Sequence, residues 1–249
     1  MGQDTDQHPN DMYGDVKPTD IDPERDDAIP AATVVLLRDT DGGVETLMLR
    51  KNSKIAFGGM WVFPGGRIDE ADYPEDGELQ AAARNAAARE TLEEAGLQVD
   101  VGAFHWFAHW TPPAVGPQKR FATWFFAARV GEQHEVAIDG GEITDHAWVQ
   151  PADALRRHRE GDIDLVPPTW VTLYHLSRYQ PAQGILDHFR ENEPKVYATH
   201  VGKTGAGVRV AMWRGDAGYE SWDADAPGPR HRLVMAKTGF NFEHTEETY

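Results

Sequence analysis

The sequence predicts an α/β fold, with a mixed sheet packed between helices. Three observations predict it. Two β-rich runs, Ala31 to Arg38 and Val44 to Lys51, flank Asp41-Gly42-Gly43, a hairpin signal. An alanine-rich stretch from Leu79 runs at helical spacing into Gly96, which reads as a C-terminal cap. Strand-like and helix-like runs then interleave, as in a sheet covered by helices.

The elements follow in order. Residues 1–28 hold nine acids against Lys17 and Arg25, with several prolines and little apolar content. This stretch is expected to be a disordered acidic tail. The domain proper, residues 29–190, opens with the hairpin. Trp61-Val62-Phe63-Pro64-Gly65-Gly66 reads as a short apolar strand ending in a sharp turn. A long loop and the alanine-rich helix come next. Val101 to Trp110, Phe121 to Val130 and Ile143 to Val149 read as strands. Pro151 opens a helix toward Arg159, because proline suits a first turn. Pro167-Pro168 precedes a second helical pattern, Trp170 to Tyr179. Beyond about residue 190 the pattern shifts. Val208 to Arg214 and Arg232 to Lys237 look like strands between Gly-, Asp- and Pro-rich turns. Residues 191–249 are therefore expected to form a β-rich extension packed on the same domain. It has three open roles: extending the sheet, covering a substrate pocket, or forming a homodimer contact. The first is the expectation.

Composition narrows the function. The chain has 249 residues and is 40% hydrophobic, enough for one large domain with additions. Its net charge is −17, from 41 acidic against 24 basic residues, which argues against a general nucleic-acid binder. There is no cysteine, so there is neither a disulfide framework nor a thiolate metal site. No long apolar run suggests a membrane span, and no basic-then-apolar leader opens the chain. A soluble cytoplasmic protein is the expectation.

The chemistry gathers in Arg89-Glu90-Thr91-Leu92-Glu93-Glu94-Ala95-Gly96-Leu97. Glu90, Glu93 and Glu94 stand at i, i+3 and i+4, on one face of a helix. Three crowded like charges are most simply explained by a cation, and hard divalent ions prefer oxygen ligands. Arg89 lies one turn before Glu93 and can orient it. Ala88, Leu92 and Ala95 are expected to form the buried stripe opposite. The glycines of the upstream turn leave the Gly66 carbonyl able to approach the same ion. A solvated acidic surface helix would explain the glutamates without a metal. Such helices usually intersperse lysine, and none follows here until Lys119.

Phe63-Pro64-Gly65-Gly66 followed by Arg89-Glu90-x-x-Glu93-Glu94-x-Gly96-Leu97 resembles the signature of the Nudix hydrolases. The resemblance implies a Nudix-like α/β/α sandwich with additional C-terminal strands, and Mg²⁺- or Mn²⁺-dependent cleavage of a phosphoanhydride in a nucleoside diphosphate derivative. By position, Gly66, Glu90, Glu93 and Glu94 would be metal ligands, and Arg89 would hold a glutamate. Two departures stand out. The family's glutamate eight residues before the arginine is Ala81 here. Gly66 lies twenty-three residues before Arg89, so the loop is nine residues longer than the family's fourteen. Gly77-Glu78 resembles the displaced Gly-Glu pair. Thr91 replaces a large aliphatic residue.

Three further stretches are similar to the coenzyme A diphosphatase-like branch: Ser53 to Phe57, Thr111-Pro112-Pro113 with Lys119 to Phe126, and Leu165 to Trp170. They imply coenzyme A or acyl-coenzyme A as substrate. ADP-ribose or dinucleotide hydrolysis is an alternative, and Pro113, sixteen residues past Leu97, fits either. A non-catalytic nucleotide-binding module on the same fold is another. Glu142, six residues before Trp148, is a further candidate for ligand or general base. Arg67, Arg50, Lys54 and Arg120 are candidate contacts for substrate phosphates. His105 and His109 are expected to pack rather than bind metal, since no His/Cys cluster is near in sequence.

Overall fold

Alternation along the first strand sets up both layers of the molecule. The computed structural model describes residues 8–13, 27–54, 57–114, 119–131 and 135–245. Strand β1 (Ile29–Thr40) sends Ala32, Val34 and Leu36 into one hydrophobic cluster and Val35 and Leu37 into another. A strand buried on both faces needs this near-continuous apolar run. It pairs antiparallel with β2 (Gly43–Lys51) across the expected hairpin. Strands β3 (Trp61–Val62) and β4 (Gly65–Arg67) bracket the Phe63-Pro64 corner, β3 pairing with β2 and β4 with β1. Strands β5 (His105–Thr111), β6 (Phe121–Arg129) and β7 (Ile143–Val149) follow. The strand order is β3-β2-β1-β6-β5, with β7 on β2 and β4 on β1. The β1–β6 pair is parallel, so the sheet is mixed.

Helix α1 (Leu79–Ala95) covers one face. Its contact stripe is made of Ala82, Ala83, Ala86, Ala87, Thr91 and Ala95, all buried. Small side chains let the helix axis lie close to the sheet. This corrects the expected stripe at one position: Leu92 is 53% exposed, while Ala95 is buried and Ala88, partly buried, packs against the same cluster. The alanines before Arg89, not the leucine after it, set the helix rotation. Thr91 is fully buried, and its hydroxyl is satisfied there by donating to the Ala87 carbonyl (2.7 Å). Gly96 ends the helix in the left-handed conformation at φ 67°, and its N–H donates to the Leu92 carbonyl.

The other face carries α2 (Pro151–Glu160), α3 (Pro167–Leu176) and α4 (Ala182–Glu191). Pro151 opens α2 as expected, whereas Pro167 and Pro168 lie inside the first turn of α3 rather than before it, and that helix ends at Leu176, short of Tyr179. Helix α4 is an addition to the sequence reading. Residues Val101–Ala103 form a 3-10 turn rather than strand, because the Asp100 carboxylate caps the Gly102 N–H.

The C-terminal part divides. Strand β8 (Lys195–Ala198) joins the first sheet parallel to β5. Strands β9 (His200–Lys203), β10 (Arg209–Met212), β11 (His231–Ala236) and β12 (Gly239–His244) form a second, antiparallel sheet in the order β12-β11-β10-β9. Val201, Ala211, Trp213, Leu233, Met235 and Phe242 share one core cluster with α3 and α4. Within the acidic stretch expected to be a tail, residues 8–13 are packed on the domain. His8, Asn10 and Asp11 are buried, and Asp11 pairs with buried Arg209 at 3.0 Å. The remainder of residues 1–26 lies outside the described residues.

Candidate active site

The corner at Pro64-Gly65-Gly66 and the second half of α1 meet face to face. Two close approaches define the meeting. A Cβ on Gly65 would run into the Ala32 carbonyl and Thr33, and one on Gly66 would overlap the Glu90 carboxylate. Gly65 therefore needs glycine for the fold, because backbone stands in the way, while Gly66 needs it only to keep Glu90 where it lies. Glu90 lies directly on Gly66. Glu94, one turn on, accepts the Gly65 N–H at 3.0 Å and Lys51 Nζ at 2.5 Å. Glu93 reaches outward, its side chain 57% exposed, and meets Arg89 Nη1 at 3.1 Å.

Arg89 is the hub. Its Nη1 also donates to Glu90 (2.9 Å). Its Nε and Nη2 donate to the two carboxylate oxygens of Asp72 (3.0 and 2.8 Å), and Nη2 also donates to the Arg67 carbonyl (3.0 Å). Asp72 ends a 3-10 turn, Glu70–Asp72, inside the lengthened loop. Burial pushes the Asp72 carboxyl up, but the Arg89 and Asp69 hydrogen bonds outweigh it and hold it below the ordinary carboxylate range. Burial raises Glu90, aided by the charges of Glu94 and Glu93 and opposed by Arg89. Burial also raises Glu94, with Lys51 opposing and Glu142 adding to it. Two buried carboxyls displaced upward beside one another are stabilised by added positive charge.

Of the sequence-predicted residues, Gly66, Arg89, Glu90, Glu93 and Glu94 come together. Glu142 stands at the rim, 67% exposed, with its carboxylate 3.8 Å from Lys51 Nζ. Its N–H is held by Asp139 (2.8 Å) at the entry to β7. Arg67 is exposed and ion-paired with Asp69 at 2.8 Å. Arg50 alternates onto the face away from α1, beside Trp61, and Lys54 is exposed in the following turn. Arg120 is 8% exposed, donating to the Pro112 carbonyl (3.0 Å) and pairing with Asp27 (3.2 Å). It pins a loop to the sheet and is not open to a phosphate.

Sequence reasoning missed Lys51 and Asp72. Alternation along β2 points Leu47, Leu49 and Lys51 toward α1, a signal that favours Lys51 over Arg50. Asp72 also had a signal: the family's acid stands six residues past its glycine, and Asp72 stands six past Gly66, with the extra residues falling between Asp72 and Arg89. Glu78, weighed as a stand-in for the missing box glutamate, is instead the N-cap of α1, accepting the N–H groups of Gln80 (2.9 Å) and Ala81 (2.5 Å).

Among the described residues, no three His, Cys, Asp or Glu side chains are gathered into a ready metal cage. Glu93 turns to Arg89 and Glu94 to Lys51. The donor types still suit a hard divalent ion: three carboxylates and one carbonyl, all oxygen. Use of Glu94 as a ligand requires its Lys51 contact to open.

The family model for the NUDIX domain matches residues 28–168, more than half of the chain. The fold is similar to a Nudix hydrolase from Alicyclobacillus acidocaldarius, at 23% identity and TM-score 0.58, covering 65% of this chain and 96% of that one. It is also similar to the NUDIX domain of Shewanella oneidensis NrtR complexed with ADP ribose (19%, TM-score 0.46, 66% and 92%). A third is a C. elegans Ap4A hydrolase binary complex (22%, TM-score 0.43, 61% and 96%). No curated protein sequence matches the chain. With the family's sequence pattern seated on the family's fold, the chain belongs to the Nudix family of hydrolases.

Proposed function

We propose that this chain hydrolyses the diphosphate linkage of coenzyme A or an acyl-coenzyme A in the cytoplasm, using Mg²⁺ or Mn²⁺ held by Glu90, Glu93, Glu94 and the Gly66 carbonyl. The observation that carries the reading is the seating of Glu90 on Gly66, with Glu93 and Glu94 on adjoining turns. A bound divalent ion supplies charge neutralisation at the diphosphate oxygens and a more acidic water.

The chain's own residues do the remainder. Arg89 holds Glu90 and Glu93 in place. Glu93 and Glu142 are the exposed carboxylates of the group and serve as candidate proton acceptors from the attacking water. Arg67, exposed just past the turn, is the best-placed cation for a substrate phosphate. The net charge of −17 makes bound cations necessary before an anionic substrate can enter.

The choice of coenzyme A rests on the branch-like stretches. One of them, at Leu165, bridges to Trp61 in the strand leading into the glycine turn. Arg120 ties another, Thr111-Pro112-Pro113, to the start of β6.

The test is product analysis over coenzyme A, acyl-coenzyme A, ADP-ribose, NADH and nucleoside triphosphates, each with Mg²⁺ and Mn²⁺. Cleavage of coenzyme A or its acyl form, abolished in a folded Glu93→Gln variant, supports the reading. Preference for ADP-ribose or NADH replaces the substrate. Full activity in Glu93→Gln removes that residue's role. Nucleotide binding without products over the whole panel favours the binding-module alternative.

A further inference from the structure

We propose that the cavity between α3, α4, β5 and β8 binds a short-chain carboxylate, with Trp110 Nε1 and Lys195 as its donors. The cavity lies at the β5–β8 edge of the first sheet, with two strands, β6 and β5, between it and the strand that pairs with the glycine turn. It is separate from the catalytic corner and independent of the metal reading. Two aromatic stacks line it. Phe107 of β5 lies flat on Phe189 of α4, with ring centroids 4.3 Å apart, and Trp110 of β5 lies on Tyr197 of β8, at 3.6 Å. The cavity volume is about 40 Å³. That is room for about three water-sized groups, the size class of acetate or propionate.

Two features call for an anion. The first is a donor. Trp110 is 3% exposed, and no acceptor among the described residues lies within hydrogen-bond distance of its Nε1–H. An indole can only donate, and a buried donor left unmade is costly. A ligand here must bring an acceptor. The second feature is charge. His175, near the end of α3, lines the cavity with its ring nitrogens shielded from solvent. Burial, and then the charges of His244, Arg178, His231 and Lys195, push it well below the ordinary histidine range. His188 of α4 is also lowered, by burial and then by Lys195, with Glu191 opposing. In a chain of net charge −17 this is a local concentration of cationic groups. Glu193 is the acid among the lining residues, but it is exposed, where water and salt screen it. A water molecule would answer Trp110 and leave the charge unmet. A carboxylate answers both. One oxygen accepts the indole N–H, the charge faces Lys195, and the short alkyl end meets the aromatic rings.

The test uses the full chain at neutral pH with ¹⁵N-labelled tryptophan. Sodium acetate and sodium propionate are titrated beside sodium chloride at matched ionic strength, with acetamide as the neutral probe. The eight indole N–H resonances are followed. Trp110→Phe, which keeps a ring against Tyr197, assigns the one that matters. If that variant does not fold, the resonance is assigned through its proximity to the Tyr197 ring. Each carboxylate is expected to shift the Trp110 resonance saturably and to raise Tm above its value in chloride. Chloride and acetamide should do neither. Lys195→Met keeps the alkyl stem and removes the charge, and should weaken carboxylate binding about fivefold or more. Three results would each overturn the proposal: no saturable shift in the folded wild type, the same shift with chloride or acetamide, or wild-type affinity in Lys195→Met. Each leaves the diphosphatase reading untouched, since that reading is measured at a different site and by product release.

Discussion

Gly66 acts through what it lacks. Its missing side chain is the space in which the Glu90 carboxylate rests. In Gly66→Ala the obstructing neighbour is the far end of a flexible side chain, so Glu90 swings away while the strand stays paired with Ala32. The fold should lose about 1 kcal/mol or less, while metal-dependent turnover should fall at least tenfold. Parallel thermal unfolding and hydrolysis at saturating Mg²⁺ separate the two effects, and wild-type turnover in a folded variant would remove Gly66 from the site. The same scale explains which site residues could be read ahead. Arg89, Glu90, Glu93 and Glu94 are spaced by the helix repeat, so their shared face follows from position alone. Lys51 follows from strand alternation once Leu47 and Leu49 are recognised as core. Asp72 follows from neither, and is found only by counting six residues on from Gly66; Arg120 follows from no pattern, because its partners lie across loops whose path nothing local dictates.

At the scale of elements, α1 shows how one carboxylate can serve the fold rather than the chemistry. Glu78 takes the N–H groups of Gln80 and Ala81, donors that a helix start otherwise leaves to water. Its loss in Glu78→Ala should cost about 1 kcal/mol of stability and leave kcat at saturating metal within twofold of the wild type. A loss of kcat matching that of a metal-ligand variant would return Glu78 to the site. The helix itself was predictable from alanine content and Gly96, yet its rotation was not. A stripe of alanines offers little contrast in hydrophobicity between faces, and Leu92, the largest apolar residue there, faces out. The hairpin, β7 and the proline-started helices were equally open to reading, since each carries its own punctuation. Helix α4 had a usable signal, with Ala182, Ile185, Leu186 and Phe189 at helical spacing. Strand β8 is short and its partner β5 is distant in sequence, whereas β9 and β12 pair with their chain neighbours β10 and β11 and went unread for want of a long apolar run.

For the molecule as a whole, the question is what joins the second sheet to the catalytic layers. The shared core cluster is one answer. Residues 8–13 are another, because they touch both parts. His8 packs on His158 of α2 and on Phe240 of β12, at ring separations of 5.1 and 4.6 Å. Asn10 Nδ2 donates to the Asp164 carboxylate (2.7 Å), and Asn10 Oδ1 accepts from His158 Nε2 (2.8 Å). Asp164 in turn lends its carbonyl to the Trp61 N–H (2.9 Å), in the strand that leads to the glycine turn. Asp11 meets Arg209 of β10, where both side chains are almost fully buried (0% and 1% exposed). Replacing such a pair with apolar residues can be neutral, but removing one partner strands the other charge in the core. Asp11→Ala should therefore cost about 3–5 kcal/mol, a loss that denaturant unfolding would register as a lower midpoint. The double variant Asp11→Ala/Arg209→Met removes both charges and should recover much of that stability. If Asp11→Ala alone leaves the midpoint unchanged, the segment is not a clasp and the second sheet is held by the apolar core alone.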